Sequence, residues 1–260
     1  MSREFSSGRR ALVIGAIGTA GLALSGCDQI VKAPATRNAL KLGQTMSFAL
    51  QRAMLQGQRM AREFSKRDMS PVFRVNGSRE ATAPEYLALK ATGFVDYRLI
   101  VDGLVHAPLA LSMAQLRALS GRTQITRHDC VEGWSAIGKW SGVPLHTVLR
   151  LAQIDWHAKY AVFHCFDTMP DGHGAMTPYY ESIDMFDAFH PQTILAYDLN
   201  GEPLIEGHGA PLRLRVERQL GYKQAKFIKR ITLVDRIDNI FRGNGGYWED
   251  VAGYEWYGGI

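Results

Sequence analysis

From residue 97 onward the chain alternates apolar and polar residues in short runs, broken by glycine, proline and asparagine. A period of two puts successive side chains on opposite faces of a strand. Tyr97–Val105 alternates around Asp102-Gly103, which predicts a hairpin centred there. Gln124–His128, Tyr160–Phe166, Thr193–Leu199 and Phe227–Val234 read as further strands. Leu212–Val216 runs Leu, Arg, Leu, Arg, Val, which predicts one apolar face and one face carrying Arg213 and Arg215. The helical stretches are short: Glu85–Ala91 behind Pro84, Met113–Leu119 behind a Ser112 cap, Leu145–Ala152 behind Pro144, and Ser182–Phe189. Pro170–Gly174 reads as a loop and Asn200-Gly201 as a tight turn. Strands dominate without a βαβ rhythm, so the expected class is α+β, with mixed β-sheets and short helices.

Upstream the pattern changes. Leu40, Leu42, Met46, Phe48, Leu50, Met54 and Leu55 recur at roughly helical spacing within Asn38–Ala61. Ser70-Pro71 breaks that run, and Phe73–Gly77 reads as a short strand or an extended link. Residues 28–92 are therefore expected to be an N-terminal helical arm and linker, and 93–260 the folded domain. The glycine- and aromatic-rich end, Gly243–Ile260, holds too many rings to leave in water. It is expected to fold back over the core and line the entrance of a site.

The first 27 residues read as an export segment rather than as fold. A basic opening, Ser6-Ser7-Gly8-Arg9-Arg10, precedes an uncharged run from Ala11 to Leu24. That run is short for a permanent span, which needs about 20 apolar residues, and suits a signal-peptide core. The arginine pair, with Leu12 two places beyond it, resembles a twin-arginine export signal. Leu24-Ser25-Gly26-Cys27 resembles a bacterial lipobox, which implies a lipid anchor at Cys27. The alternative is an incidental cysteine at the end of an uncleaved anchor. Either way the folded part lies outside the cytoplasm, in the periplasm, tied to a membrane.

Net charge is +5, and Arg3, Arg9 and Arg10 against Glu4 supply +2 of it. The remaining excess is mild and no basic run interleaves with aromatics, so nucleic acid is not an expected partner. Besides Cys27 there are two cysteines, Cys130 and Cys165. On cysteine counting alone an exported chain would join them as a disulfide.

The residues around them point elsewhere. Cys130 lies in Thr126-Arg127-His128-Asp129-Cys130-Val131-Glu132-Gly133-Trp134-Ser135. The basic pair would lower its pKa, with at most one of the two side chains facing the sulfur along a strand. A soft thiolate suits a soft or high-valent metal. Downstream come Glu206-Gly207-His208-Gly209-Ala210-Pro211-Leu212-Arg213 and then Leu220-Gly221-Tyr222-Lys223-Gln224-Ala225-Lys226. Glycines admit close backbone approach, a guanidinium offers a planar fork, and His208, Lys223 and Lys226 add donors, which is what a phosphate dianion requires.

Together these segments resemble the molybdenum-cofactor domain of the sulfite oxidase family, over roughly residues 95–260, and in particular its periplasmic sulfoxide-reductase branch. The resemblance implies the sulfite oxidase molybdopterin-binding fold and a molybdenum–molybdopterin cofactor. It implies that Cys130 ligates the metal and that His208, Arg213, Gln224, Ala225 and Lys226 hold the pterin and its phosphate. Cys165 falls where the reductase branch places a cofactor-contacting threonine, and Tyr86 could supply an upstream aromatic contact. Tyr222, Asp167, Trp134, Tyr180 and His173 are pocket candidates, with Tyr222 and Asp167 able to donate or relay protons.

Sulfite-oxidising members carry arginines shortly after the cysteine; here Val131-Glu132-Gly133-Trp134 stands there. The expected reaction is therefore a two-electron oxygen-atom transfer on a small neutral substrate such as a sulfoxide. A sulfite dehydrogenase of the same family is the alternative. A hydrolase with Cys130 as nucleophile and His128 or His208 as base is a further one, as is an anion-binding lipoprotein. The sequence holds no haem-attachment motif or iron–sulfur cysteine set, so electrons would come through a partner, a membrane cytochrome or a soluble c-type cytochrome.

Overall fold

A computed structural model of the chain describes residues 60–260, together with two helical positions, Met46 and Leu50. The expected export segment, and the expected helix Asn38–Ala61 apart from those two positions and its last two residues, lie outside the described residues; Met60 and Ala61 are not helical.

Ten strands form two five-stranded sheets. In the first, β1 (Arg98–Gly103), β2 (Leu109–Ser112), β5 (Tyr160–Pro170), β6 (Met176–Asp184) and β10 (Ile228–Val234) lie in the order β2-β1-β10-β5-β6. β1 and β10 run parallel, whereas the other pairs are antiparallel. In the second sheet β3 (Arg122–Asp129), β4 (Ser135–Pro144), β7 (Ile194–Leu199) and β8 (Glu202–Pro203) are joined in that order, and β9 (Arg213–Arg215) pairs with β7. Between residues 60 and 260 lie five short α-helices, α1 (Pro84–Ala91), α2 (Met113–Ala118), α3 (Leu145–Leu151), α4 (Met185–Ala188) and α5 (Tyr247–Ala252), of which α2, α3 and α4 connect strands. This is the α+β architecture with mixed sheets that the alternation predicts.

Local chemistry sets the helix starts as expected. Ser112 Oγ accepts from Gln115 N while the Gln115 side chain accepts from Ser112 N, a reciprocal cap. Pro84 opens α1.

Several boundaries differ from the sequence reading. β1 does end at Gly103, where a side chain would strike the Leu233 carbonyl, but the returning strand starts only at Leu109. Ser182–Asp184 belong to β6, not to a helix, because they pair with β5 and pack inside; only Met185–Ala188 is helical. The alternation of β9 does not give a solvated face. Arg213 and Arg215 are fully buried, because a second layer covers the side that the pattern leaves polar.

Of the segment expected as an arm and linker, the described residues 60–92 are part of the body, within the same compact unit as the rest of the described chain up to Ile260. Tyr86 is wholly enclosed among Phe94, Phe166 and Phe227, and its hydroxyl donates to the Ala210 carbonyl at 3.0 Å. Phe73 packs edge-on against Trp140 in a smaller core cluster. A handful of large apolar residues in a mostly polar stretch anchors it, which periodicity does not register. The C-terminal stretch folds back as expected: Tyr247 joins the main core and Trp256 Nε1 donates to Ser182.

Candidate cofactor cleft

Cys130 occupies the tip of the β3–β4 hairpin. Its amide donates to the Trp134 carbonyl at 2.9 Å, and Gly133 N returns to the Cys130 carbonyl at 3.0 Å. Gly133 has φ +83°, the left-handed conformation that closes this turn. The hairpin delivers the thiol to a cleft of about 490 Å³, counted out to solvent.

Asp167, Tyr222, Gln224 and Lys226 line the same cleft, with Glu132, Tyr179, Met169 and Trp248. Asp167 arrives through a register shift in the β5–β6 pairing between His164 and Thr168, an irregularity of the kind that re-aims a side chain. It accepts a hydrogen bond from Ser78 Oγ at 2.5 Å, while its other oxygen has no partner among the described residues. Burial raises its carboxyl to about 6, against the pull of Ser78 and Lys226.

Lys226 Nζ donates to the carbonyls of Asn76, Ser78 and Gly207. Burial and the Arg213 charge lower it to about 7. Tyr222 faces the cleft, with its hydroxyl donating to the Glu255 carbonyl at 2.6 Å.

Behind the cleft wall lie the remaining basic groups. Arg213 donates from Nη1 to the His208 carbonyl at 3.2 Å and from Nη2 toward the Gln224 carbonyl at 3.5 Å; its Nε has no partner among the described residues. Burial, then Arg213 and Lys226, depress His208 to about 4, so it is a neutral imidazole, and its Nδ1 is likewise unpartnered. Gly209 makes this crowding possible: a side chain there would meet Lys226 Cβ at 2.7 Å. Ala225 is buried beside them.

The expected cations do not all serve the site. Lys223 is fully enclosed and pairs with Glu181 and Glu249, so it is a structural cation. Arg127 points outward to Asp129, and His128 faces Arg215 at 2.9 Å. Neither stabilises a Cys130 thiolate; burial pushes that thiol up instead. Cys130 and Cys165 are both free thiols, so the disulfide does not form. Cys165 packs in the hydrophobic core rather than on the cleft, because it points inward from β5 opposite Ile228.

Other expected pocket residues sit elsewhere. Trp134 packs edge-on against Phe73, though its Nε1 donates to Glu132 Oε2 at 2.9 Å. Tyr180 is held by Asp250 and stacks on Phe241. His173 is exposed in the β5–β6 turn. Conversely, Asn76, Gly77 and Ser78 form one wall of the cleft. The Asn76-Gly77 dipeptide, a turn signal, was the one available clue.

The cleft thus combines a free thiol with partially paired cations behind its wall. Sequence comparison identifies the class of domain. Residues 87–241 match the model of the oxidoreductase molybdopterin binding domain, and the chain belongs to that family. It is 46% identical over 163 residues, 63% of its length, to a protein of Azospira oryzae provisionally named protein-methionine-sulfoxide reductase subunit YedZ1, covering 56% of that relative. It is 38% identical over 147 residues, 54% of its length, to the protein-methionine-sulfoxide reductase catalytic subunit MsrP of Gluconobacter oxydans, covering 47% of it. The chain thus spans about half the length of the curated relatives it matches. Among solved structures, the sulfane dehydrogenase SoxCD from Paracoccus pantotrophus is similar at 24% identity, with a TM-score of 0.49, over 55% of this chain and 39% of that one.

The residues present fit the cofactor of this family. A phosphate dianion suits a buried neighbourhood in which Arg213 lacks a carboxylate partner and its Nε, like Nδ1 of His208, makes no hydrogen bond.

Proposed function

We propose that this chain is an exported molybdenum oxidoreductase that reduces a small neutral sulfoxide by two-electron oxygen-atom transfer. The observation that carries it is the placement of Cys130 in one cleft with Asp167, Glu132 and Lys226, within a molybdopterin-binding domain. The sulfoxide reductase names of the relatives support the substrate class. The bound cofactor would supply the two-electron couple.

Cys130 would be the protein's ligand to molybdenum. Its raised thiol pKa is no obstacle, since a coordinated thiol is deprotonated by the metal itself. Arg213, His208 and Lys226, with Gln224 and Ala225, would hold the pterin phosphate. For Lys226 this means exchanging backbone carbonyls for a charged acceptor.

The net reaction takes one sulfoxide, two electrons and two protons to one sulfide and one water. Asp167 is placed to give up a proton in the cleft, as an acid raised to about 6 with one oxygen unpartnered. Tyr222, committed to Glu255, shapes and orients rather than donates freely. Glu132, pinned by Trp134, sets the sign of the cleft against a sulfite dianion. At about 5 Å and an effective dielectric near 20 each carboxylate–anion charge pair costs roughly 3 kcal/mol.

The twin-arginine-like opening and Cys27 support a periplasmic enzyme carried out already folded, lipid-anchored if Cys27 is processed, and reduced by a membrane or c-type cytochrome. Molybdenum and pterin analysis of chain expressed in a cofactor-competent host should give about one of each per chain. Cys130→Ser should stay folded and lose sulfoxide reduction. Turnover by Cys130→Ser at the wild-type rate, or sulfite oxidised with a higher kcat/KM than any sulfoxide, would overturn the reading.

A further inference from the structure

The cleft does not end at Cys130. Val131, the next residue, is 43% exposed, a large fraction for an aliphatic side chain beside a reactive centre. With Tyr222 it also lines a second, shallower groove on the outer side, whose other walls are Leu220, Tyr254, Tyr257 and the glycines 258–259. Two residues are thus shared between the cleft and this groove.

Besides Val131, aromatic rings separate the two. Trp248 of the cleft stacks on Tyr254 of the groove, with centroids 5.5 Å apart and planes 19° from parallel. Tyr254 in turn meets Tyr222 edge-on at 5.2 Å. The C-terminal return is held firmly in this position: Leu220 N donates to the Gly258 carbonyl at 2.7 Å, Ile260 N to the Arg218 carbonyl at 3.0 Å, and Tyr222 to Glu255. The groove is therefore built on anchored chain.

We propose that the groove beside Val131, walled by Tyr254, Tyr222 and Tyr257, is a specificity subsite that takes a neutral aromatic or apolar arm of the sulfoxide. This rests on the sulfoxide reading of the cleft and adds to it the kind of substituent preferred. The sulfoxide oxygen would face Cys130 and Asp167 while the arm lies outward over Val131. A neutral arm also suits the surroundings, since Glu132 lines the cleft and Glu255 the groove and neither favours an acidic substituent. Tyr254 would be a positioning residue: it backs Trp248 and Tyr222 and presents its exposed side to the arm, being 37% exposed.

The test uses the cofactor-loaded enzyme with a reduced dye and two neutral sulfoxides, dimethyl sulfoxide and methyl phenyl sulfoxide. The aryl substrate should have a kcat/KM at least about tenfold higher, expressed in KM, the lower end of what one apolar group in a matching pocket confers. Tyr254→Ala should remove that preference by raising KM for the aryl substrate more than for dimethyl sulfoxide, whereas Tyr254→Phe should retain it. Methyl phenyl sulfone, which the dye-driven reaction does not consume, gives an independent reading through protein fluorescence: binding that Tyr254→Ala weakens about tenfold upholds the subsite. Equal efficiency on both sulfoxides, with sulfone binding indifferent to Tyr254, overturns the subsite and leaves the sulfoxide reading standing. If neither sulfoxide turns over, the sulfoxide reading fails, and the sulfone titration decides the groove by itself.

Discussion

Lys223→Met should destabilise the protein severely, and more at alkaline than at acid pH. Lys223 Nζ donates to Glu181 Oε1 and, at 2.7 Å, to Glu249 Oε1, and all three side chains are at most 1% exposed. Methionine keeps much of the volume and removes the cation paired with these two carboxylates. Removing one partner from a buried ion pair costs about 3–5 kcal/mol. In a compact unit of about 200 residues each kcal/mol moves the midpoint by roughly 2–4 °C, so a fall in Tm of about 6–20 °C is expected. Burial and the Glu249 charge already hold Glu181 well above its ordinary 4.5, and losing Lys223 raises it further. A carboxyl with a raised folded pKa binds its proton more tightly in the folded state. Its contribution is fully present below about 4.5 and is lost as pH rises through the folded value. The deficit of the variant should therefore shrink at pH 5 and be largest at pH 8. Differential scanning calorimetry at both pH values measures it. A Tm loss under about 2 °C, or one that is equal at the two pH values, would refute the assignment of Lys223 as a buried structural cation. Adding Glu181→Gln and Glu249→Gln to the variant should recover most of the loss, since it removes the stranded charges.

Two further outcomes bear on the cleft. Arg213→Ala should lower cofactor retention on dilution by tenfold or more, because a charge-assisted bond is worth about 1.5–3 kcal/mol, and molybdenum per chain after gel filtration reads it. Wild-type sulfoxide reduction should fall as pH rises through about 6, where Asp167 gives up the proton it would donate, and Asp167→Asn should flatten that limb and lower kcat by about 10²–10⁴. A pH profile unchanged in Asp167→Asn would assign the proton to another donor.

What the sequence could reveal of this fold followed from its periodicity. The strands β1, β3, β5, β7 and β10, the Ser112 cap of α2, the Pro144 start of α3 and the α+β class are written in the pattern, whereas β4 (Ser135–Pro144) and most of β6 (Met176–Asp184), rich in glycine, serine and tyrosine, are not. The chemistry-bearing segments were equally legible, because cysteine, glycine and arginine at close spacing have few other uses. What the pattern hides is direction and partnership. Arg213 and Arg215 read as one polar face, yet both are inside, because β9 is covered on each side. Lys223 and Lys226 stand three apart and look equivalent, but Glu181 and Glu249, distant in sequence, claim one of them. The register shift that turns Asp167 into the cleft leaves no mark on a hydropathy pattern. The Asn76–Ser78 wall lies in a stretch without periodicity, and only the body it packs against gives it a role.

The pairing of the two β9 arginines separates framework from function. Arg215 has a complete partner set: Glu217 accepts from Nε at 3.0 Å and from Nη2 at 2.5 Å, and His128 takes Nη1. Its charge is cancelled within the protein. Arg213, two residues away and equally buried, meets only carbonyl oxygens and the face of Trp140 at 5.0 Å. An uncompensated buried cation costs several kcal/mol, and a fold selected for stability alone would give it a carboxylate or replace it with an apolar residue. Burial and then the Arg213 charge lower Lys226 as well, against the pull of Asp167, and the same two causes keep His208 neutral. The Arg213 charge thus lies behind the cleft without a carboxylate hydrogen-bonded to it. A phosphate dianion would supply both the charge and the acceptor oxygens, and the energy lost in holding these groups ready would return as affinity on binding. That asymmetry, rather than the number of basic residues, is the ground for proposing Arg213 and not Arg215 as the phosphate contact.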